Sequence, residues 1–259
     1  MGSFLGLSRL FRLRSAWTEE PYSAFSRVYD HAMYHVDYEE WAEYIVRLFD
    51  NFGKGVRSVL EGGCGTGSML RALSARGYRI AGFDRSLAMV QSAAGKVDCP
   101  LWQGDLRNAE SLRRWDAFLC LYDTIQYFDM VSLPGLFLHW AELPNDGGLF
   151  VFDVITERHA RMDWGNYTEQ DSWEGVEYIR HTRFERRRRI LQTDFAFYHP
   201  RENRTYRERH VQFIHPLKEI ERAAASGGFT VLGMFDEFTL NPGTEASDRV
   251  HFVLRKEDR

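Results

Sequence analysis

The stretch Val59-Leu60-Glu61-Gly62-Gly63-Cys64-Gly65-Thr66-Gly67-Ser68-Met69-Leu70 constrains this chain more than any other: a short apolar run breaks into four glycines and resumes with helical spacing. It reads as a strand, a tight turn and the start of a helix. Glycines at 63, 65 and 67 let the backbone take positive φ and leave no Cβ between the turn and a bound molecule, so a flat or extended ligand can lie on the main chain. A phosphate loop would need a lysine that is not here, and a dinucleotide fingerprint begun at Gly63 would end on Ser68 instead of glycine. Glu61, just before the glycines, would repel a pyrophosphate but could accept hydrogen bonds from an amino group. The pocket is of nucleotide type, and its ligand should carry a cation at this point.

Two further acids follow at predicted strand ends. Asp84 lies one helix and one strand beyond Gly67, at the end of Tyr78-Arg79-Ile80-Ala81-Gly82-Phe83-Asp84. That places it at the carboxyl edge of the adjacent parallel strand, where a carboxylate can accept both hydroxyls of a ribose. Ser86 is the more natural cap for the helix that follows. Asp105 comes after a third strand, Pro100 to Gln103. A fourth, nearly unbroken apolar strand, Asp116 to Leu121, suggests burial on both faces of a parallel sheet. The loop after it, Tyr122-Asp123-Thr124-Ile125-Gln126-Tyr127-Phe128, should therefore lie beside the reactive end of the ligand.

The segment Glu61-Gly62-Gly63-Cys64-Gly65-Thr66-Gly67 resembles the first motif of class I S-adenosylmethionine (SAM)-dependent methyltransferases, (D/E)-x-G-x-G-x-G. Leu121 to Tyr127 and Pro144 to Asp153 are similar to small-molecule members, amino-sugar N,N-dimethyltransferases among them, although those enzymes carry a histidine where Tyr127 stands. The resemblance covers about Tyr22 to Lys256. It implies an α/β, doubly wound, mostly parallel seven-stranded sheet with one antiparallel strand, an N-terminal helical lid and an antiparallel β insertion. The implied cofactor is SAM, leaving as S-adenosylhomocysteine, with no metal. Its contacts would come from Tyr29, Glu61, Gly63, Cys64, Gly65, Gly67, Asp84, Arg85, Met89, Asp105, Leu106 and Leu121, with Asp105 at the adenine amino group. Tyr127 and His210 are candidates for orienting the acceptor or removing its proton; His210 reads equally as a satisfied sheet histidine.

The chain divides into residues 1–52 as tail and lid, 53–155 with 216–259 as the SAM-binding core, and 156–215 as the insertion over the active site. Within 21–52, aromatic and apolar residues recur at helical spacing and predict two amphipathic helices; Trp41 and Tyr44 read as core or as ligand contacts. In the insertion, three runs are expected: one through Trp173, Tyr178 and Ile179, one through Ile190 to Phe197, and one through Tyr206 to Ile214. Arg186 to Arg189 fall between the first two, and read as a solvated hairpin or as a site for phosphate or RNA.

At 259 residues and 44% hydrophobic content, one large domain with an insertion is the expectation. A net charge of −4 gives no general attraction for nucleic acid or anionic lipid, so the expected partner is a small molecule, with a homodimer left open. Cys64, Cys99 and Cys120 have no paired spacing and read as reduced thiols of a cytoplasmic protein. No apolar run reaches the roughly 18 residues of a membrane span. Phe4 to Arg14 is basic and amphipathic, either a frayed or lightly docked tail or a membrane-surface or targeting segment, and its apolar stretch is too broken for a secretory signal. The functional readings are methyl transfer to N or O of a small molecule, RNA methylation, or SAM binding without catalysis.

Overall fold

In the computed structural model, which describes residues 19–257, the turn-bearing strand β1 (Ser58–Gly62) lies inside a seven-stranded sheet. Parallel to it run β2 (Arg79–Asp84) and β3 (Leu101–Gln103) on one side, and β4 (Trp115–Cys120) and β5 (Pro144–Ile155) on the other. Beyond β5 lie β11 (Arg249–Lys256), antiparallel to both its neighbours, and β10 (Phe229–Asp236). The expected sheet, with its single antiparallel strand, is the one observed.

Both faces of this sheet are buried, and alternate side chains feed two separate cores. Phe118, Phe150, Phe152 and Phe252 point to one side and pack with α5 (Leu133–Trp140) and α7 (Leu217–Ser226). Val59, Ala117, Leu119, Val151 and Val253 point to the other, toward α2 (Tyr38–Phe52) and α3 (Ser68–Ala75). Each fully buried phenylalanine contributes roughly 2–3 kcal/mol of transfer free energy, so the strands are fixed in register and their carboxyl ends form one edge. Trp140 helps hold that edge: its Nε1–H donates to Leu106 O at 2.8 Å.

The N-terminal part departs from the expected pair of helices. Only α2 is a full helix, started by Asp37, whose side chain accepts from the amides of Glu39 and Glu40 at 3.0 Å. Before it stand a 3-10 turn, Phe25–Arg27, and the single turn α1 (Tyr29–Ala32). Phe25 and Val28 pack against Phe195 and Phe197 of a second sheet, a tertiary contact that helical spacing does not reveal. Tyr44 is core, with its hydroxyl on Thr239 O at 2.9 Å.

That second sheet has four antiparallel strands: β6 (Asn166–Trp173), β7 (Val176–Glu185), β8 (Ile190–His199) and β9 (Arg204–Phe213). The expected first run is really a hairpin, because Glu174 and Gly175 both take positive φ (47° and 81°) and turn the chain between Trp173 and Val176. Two-residue turns with this conformation match the twist of the strands they join. The helices α4 (Leu87–Ala94) and α6 (Glu157–Met162) complete the set. Among the described residues no helix is long and apolar enough to cross a membrane. Phe4 to Arg14 lies outside the described residues.

Candidate active site

The glycine turn is held by its neighbours' main chain. Gly63 N and Cys64 N donate to Phe83 O at 2.8 and 3.0 Å, and Gly65 N donates to the Asp84 carboxylate at 2.9 Å. Gly63 sits at φ +74°, where a Cβ would come within 2.8 Å of Thr124 Cγ2. Gly67, at φ +79°, begins α3 and lets it approach Ala93 of α4; it serves packing and does not border the cavity.

A cavity of about 240 Å³ lies outside the carboxyl edge. Gly63, Gly65, Asp84, Arg85 and Met89 border it, and so do Asp105, Leu106, Leu121, Tyr29 and Tyr127. A smaller recess adjoins it across Tyr29, Gly63, Gly65 and Leu121, and contains Glu61 and Cys64. Of the residues expected at the site, only Gly67 and His210 stand back from these walls.

The three acids are in different states. Glu61 is buried, and among the described residues its Oε2 finds no hydrogen-bond partner. Desolvation, with the Asp84 charge nearby, pushes its carboxyl well above the usual range. An orphaned buried carboxylate oxygen suits a ligand ammonium. Asp84 is likewise raised by burial, an effect opposed by the amides of Ser86 and Gly65. Asp105 does not end a strand; it caps the 3-10 turn Leu106–Asn108, and hydrogen bonds from the Arg107 side chain hold its carboxyl below the usual range. Ser86 caps α4 as expected, accepting from Met89 N at 3.3 Å.

The loop after β4 is strained and strongly tied. Tyr122 and Asp123 take positive φ (58° and 52°), which costs on the order of 1–3 kcal/mol each for non-glycine residues. The fully buried Asp153 holds both, accepting Tyr122 N at 2.6 Å and Asp123 N at 3.0 Å. Arg249 bridges Asp123 at 2.9 Å and also pairs with Asp153. Gln126, fully buried, exchanges two 3.0 Å hydrogen bonds with the main chain of Ile155 and reaches Phe213 O at 3.4 Å.

That loop delivers Tyr127 to His210 across 83 residues of chain: Tyr127 OH lies 2.9 Å from His210 Nδ1. His210 Nε2 lies 3.0 Å from Glu208 Oε2, and Tyr22 OH lies 2.8 Å from Tyr127 OH. Desolvation raises both tyrosines far above their ordinary range, so both remain hydroxyls at neutral pH. A buried carboxylate only accepts, so Nε2 carries the ring proton and Nδ1 accepts from Tyr127. The chain of donors runs from Tyr22 through Tyr127 to His210 and Glu208.

A second cavity, about 470 Å³, lies between the two sheets and adjoins the first at Tyr122. His159, Asp163 and Asp248 cluster near it. Trp164 Nε1–H donates to His159 Nε2 at 2.9 Å, which leaves the proton on Nδ1, facing Asp163 Oδ2 at 2.9 Å. The Asp163 contact is a close approach without hydrogen-bond geometry, so His159 Nδ1 has no hydrogen-bond partner among the described residues. Arg186 to Arg189 occupy the turn between β7 and β8; Arg189 pairs with Glu157 at 2.8 Å and Arg188 with Glu185 at 3.5 Å.

Residues 29–233 match a family described as a methyltransferase domain. The chain belongs to that family. The methyltransferase is 25% identical over 248 residues, 91% of its own length and 99% of the relative's, to a protein of Geobacillus sp. (strain WCH70) that is named as a methyltransferase. Its fold is that of a SAM-dependent methyltransferase from Clostridium acetobutylicum ATCC 824, with a TM-score of 0.77 at 21% identity over 91% of this chain and 98% of the other. The sugar N-methyltransferase KedS8 from Streptoalloteichus sp ATCC 53650 matches with a TM-score of 0.74 at 22% identity, covering 95% and 96%.

Three residues of the methyltransferase's candidate site are missing from the sequence-based set: Tyr22, Glu208 and Arg249; Tyr122 is expected there only as part of the loop beside the reactive end. Glu208 and His210 are two apart on one strand and share a face, a period-2 signal that was legible. Arg249 meets Asp153 through the β5–β11 pairing, which only the assembled sheet brings about.

Proposed function

We propose that the protein transfers the methyl group of SAM to a nitrogen or oxygen of a small molecule. The observation that carries this reading is Glu61 Oε2, buried and unpaired beside a glycine turn. It fits the cofactor's ammonium group. Asp84 would take the ribose hydroxyls through the lone pairs its two backbone contacts leave free, and Met89 and Leu106 would pack the adenine. Asp105 would reach the adenine amino group only after releasing part of its contact with Arg107. In this reading residues 1–52 supply tail and lid, 53–155 with 216–259 hold the cofactor, and 156–215 roof the acceptor.

When bound, SAM supplies an activated methyl group: the acceptor's lone pair forms the new bond as the carbon–sulfur bond breaks and its electron pair stays on sulfur. The protein aligns the acceptor and excludes water. Tyr127 can take the acceptor's proton while handing its own to His210 Nδ1, leaving an imidazolium against Glu208. Such positioned proton removal is worth ~10²–10⁴-fold for a hydroxyl, and less for an amine that has already lost its proton.

The second cavity gives the acceptor room. Its walls carry the carboxylates of Asp37, Glu40, Asp123, Glu237 and Asp248 against two guanidinium groups. Both are engaged, Arg249 by Asp123 and Asp153, and Arg180 by Glu169 at 2.5 Å. Asp248 is in turn paired with Arg158, and the carboxylates left over, those of Asp37, Glu40 and Glu237, favour an amine-bearing acceptor over a phosphorylated one.

Titration calorimetry with SAM tests the cofactor reading. Glu61→Gln should weaken binding at least ~100-fold, the order expected for removing one partner of a buried charge pair. It should also stabilise the ligand-free protein, because an uncompensated buried carboxylate is gone. Equal affinity of variant and wild type would overturn the assignment. A screen of amines and alcohols with methyl-labelled SAM then identifies the acceptor class.

A further inference from the structure

The segment leading into α1 is laid as a strap between the two sheets. On the cofactor side, Ser86 Oγ donates to Tyr22 O at 2.9 Å, and Glu20 pairs with Arg85 at 2.9 Å. On the other, Glu19 N donates to Arg207 O at 3.1 Å. Pro21 and Tyr22 form part of the wall of the cofactor cavity.

One side chain gathers this strap. Glu208, with no exposed surface, accepts Tyr22 N at 2.9 Å on Oε2, and Phe25 N at 2.9 Å together with Ala24 N on Oε1. Tyr22 takes positive φ (66°), a conformation costly for an aromatic residue, and the chain turns there so that three amides meet one carboxylate. With His210 Nε2–H as the fourth donor, each oxygen has two. The acceptor capacity of the carboxylate is filled, and three of the four donors exist only while the strap is docked.

We propose, building on the proton-removal reading above, that Glu208 is a positioning residue with two coupled duties: it holds His210 in the Nε2–H tautomer that opens Nδ1 to Tyr127, and it latches the strap that closes the cofactor cavity. The strap brings Tyr22, whose hydroxyl meets Tyr127 and whose ring lies 4.6 Å from the His210 ring. Closure and completion of the relay are thus one event. When the strap lifts, Tyr127 loses its partner at the cavity end and Glu208 loses three donors together.

Glu208→Gln discriminates, because an amide nitrogen donates where the carboxylate accepted. The glutamine oxygen can keep Ala24 N and Phe25 N, while its NH₂ faces Nε2 and forces the ring proton to Nδ1. In full-length protein labelled with ¹⁵N-histidine, long-range ¹H–¹⁵N spectra at pH 7.5 should show His210 as Nε2–H in the wild type and Nδ1–H in the variant, with His210→Asn assigning the signals. Amide exchange at Tyr22 should accelerate at least tenfold. The same tautomer in both proteins overturns the first duty, and unchanged exchange overturns the second. Should Glu208→Gln fail to fold, Ala24→Pro removes one donor at a φ of −84°, a few degrees beyond proline's usual range. It should speed exchange at Tyr22 and Phe25 and leave the ring Nε2–H; no acceleration again overturns the latch. None of these readouts needs methyl transfer, so their failure is distinct from a failure to bind SAM.

Discussion

The carboxyl edge of the parallel sheet and the antiparallel sheet above it handle polar groups in different ways. At the edge, Glu61 keeps an oxygen unpaired in a buried recess, and Tyr122 and Asp123 hold costly backbone conformations. In the second sheet paired side chains, such as Thr182 with Thr193 at 3.0 Å and Arg209 with Asp194 at 2.8 Å, stand beside buried atoms that find no hydrogen-bond partner among the described residues: Glu177 Oε2, Tyr178 OH and His199 Nε2. The difference teaches where the free energy of a ligand is to be spent. The edge leaves its orphaned oxygen open to a recess that a ligand can fill, whereas Glu177, Tyr178 and His199 of the sheet above it border neither cavity.

The largest effect is expected in the core beside Asp153, the residue that holds the edge loop. His251, fully buried on β11 among the rings of Trp41, Tyr44 and Phe238, is pushed down to about 3 by desolvation, with Arg249 adding to it. Its folded value lies below its unfolded one, so its stabilising effect is whole above pH ~6.5 and is lost as pH falls toward the folded value. Between pH 7 and pH 5 the wild type should lose about 2 kcal/mol more stability than His251→Leu in urea titrations, since each unit of difference is worth about 1.4 kcal/mol. Equal losses would mean that water reaches His251. A smaller effect is expected at the edge: Asp84→Asn should weaken SAM binding about tenfold by calorimetry, the worth of one charged hydrogen bond of roughly 1.5 kcal/mol, and should lower the melting temperature, because its NH₂ leaves one of the amides of Gly65 and Ser86 without an acceptor. If it unfolds the protein without touching affinity, Asp84 belongs to the scaffold. Smallest of all, Glu174→Asn should stabilise the β6–β7 hairpin by roughly 0.5 kcal/mol in thermal melts, because asparagine tolerates the positive φ, with SAM affinity unchanged.

The same contrast explains what the sequence made legible. The edge is built from local patterns: a strand, a glycine turn and a helix within Val59 to Leu70, then acids one strand further on. Parallel strands buried on both faces left long apolar runs that announce themselves, and Glu61, Asp84, Leu106 and Tyr127 all reach the two adjoining recesses. What stayed hidden depends on chain crossing. Tyr22 reaches Glu208 across 186 positions, and no spacing rule spans that distance. Helical periodicity before α2 was misleading because Phe25 and Val28 serve the second sheet, and the β6–β7 hairpin was missed because a single Glu-Gly pair carries the whole turn.

Gln126 has a consequence at another scale. The chain leaves the core after Ile155 and comes back after Phe213, and this one buried side chain touches the main chain at both places. His215 adds a fastening beside them, its Nε2 at 2.8 Å from Phe128 O. Departure and return are therefore riveted side by side. A single glutamine thus fixes the place where the second sheet is mounted on the first.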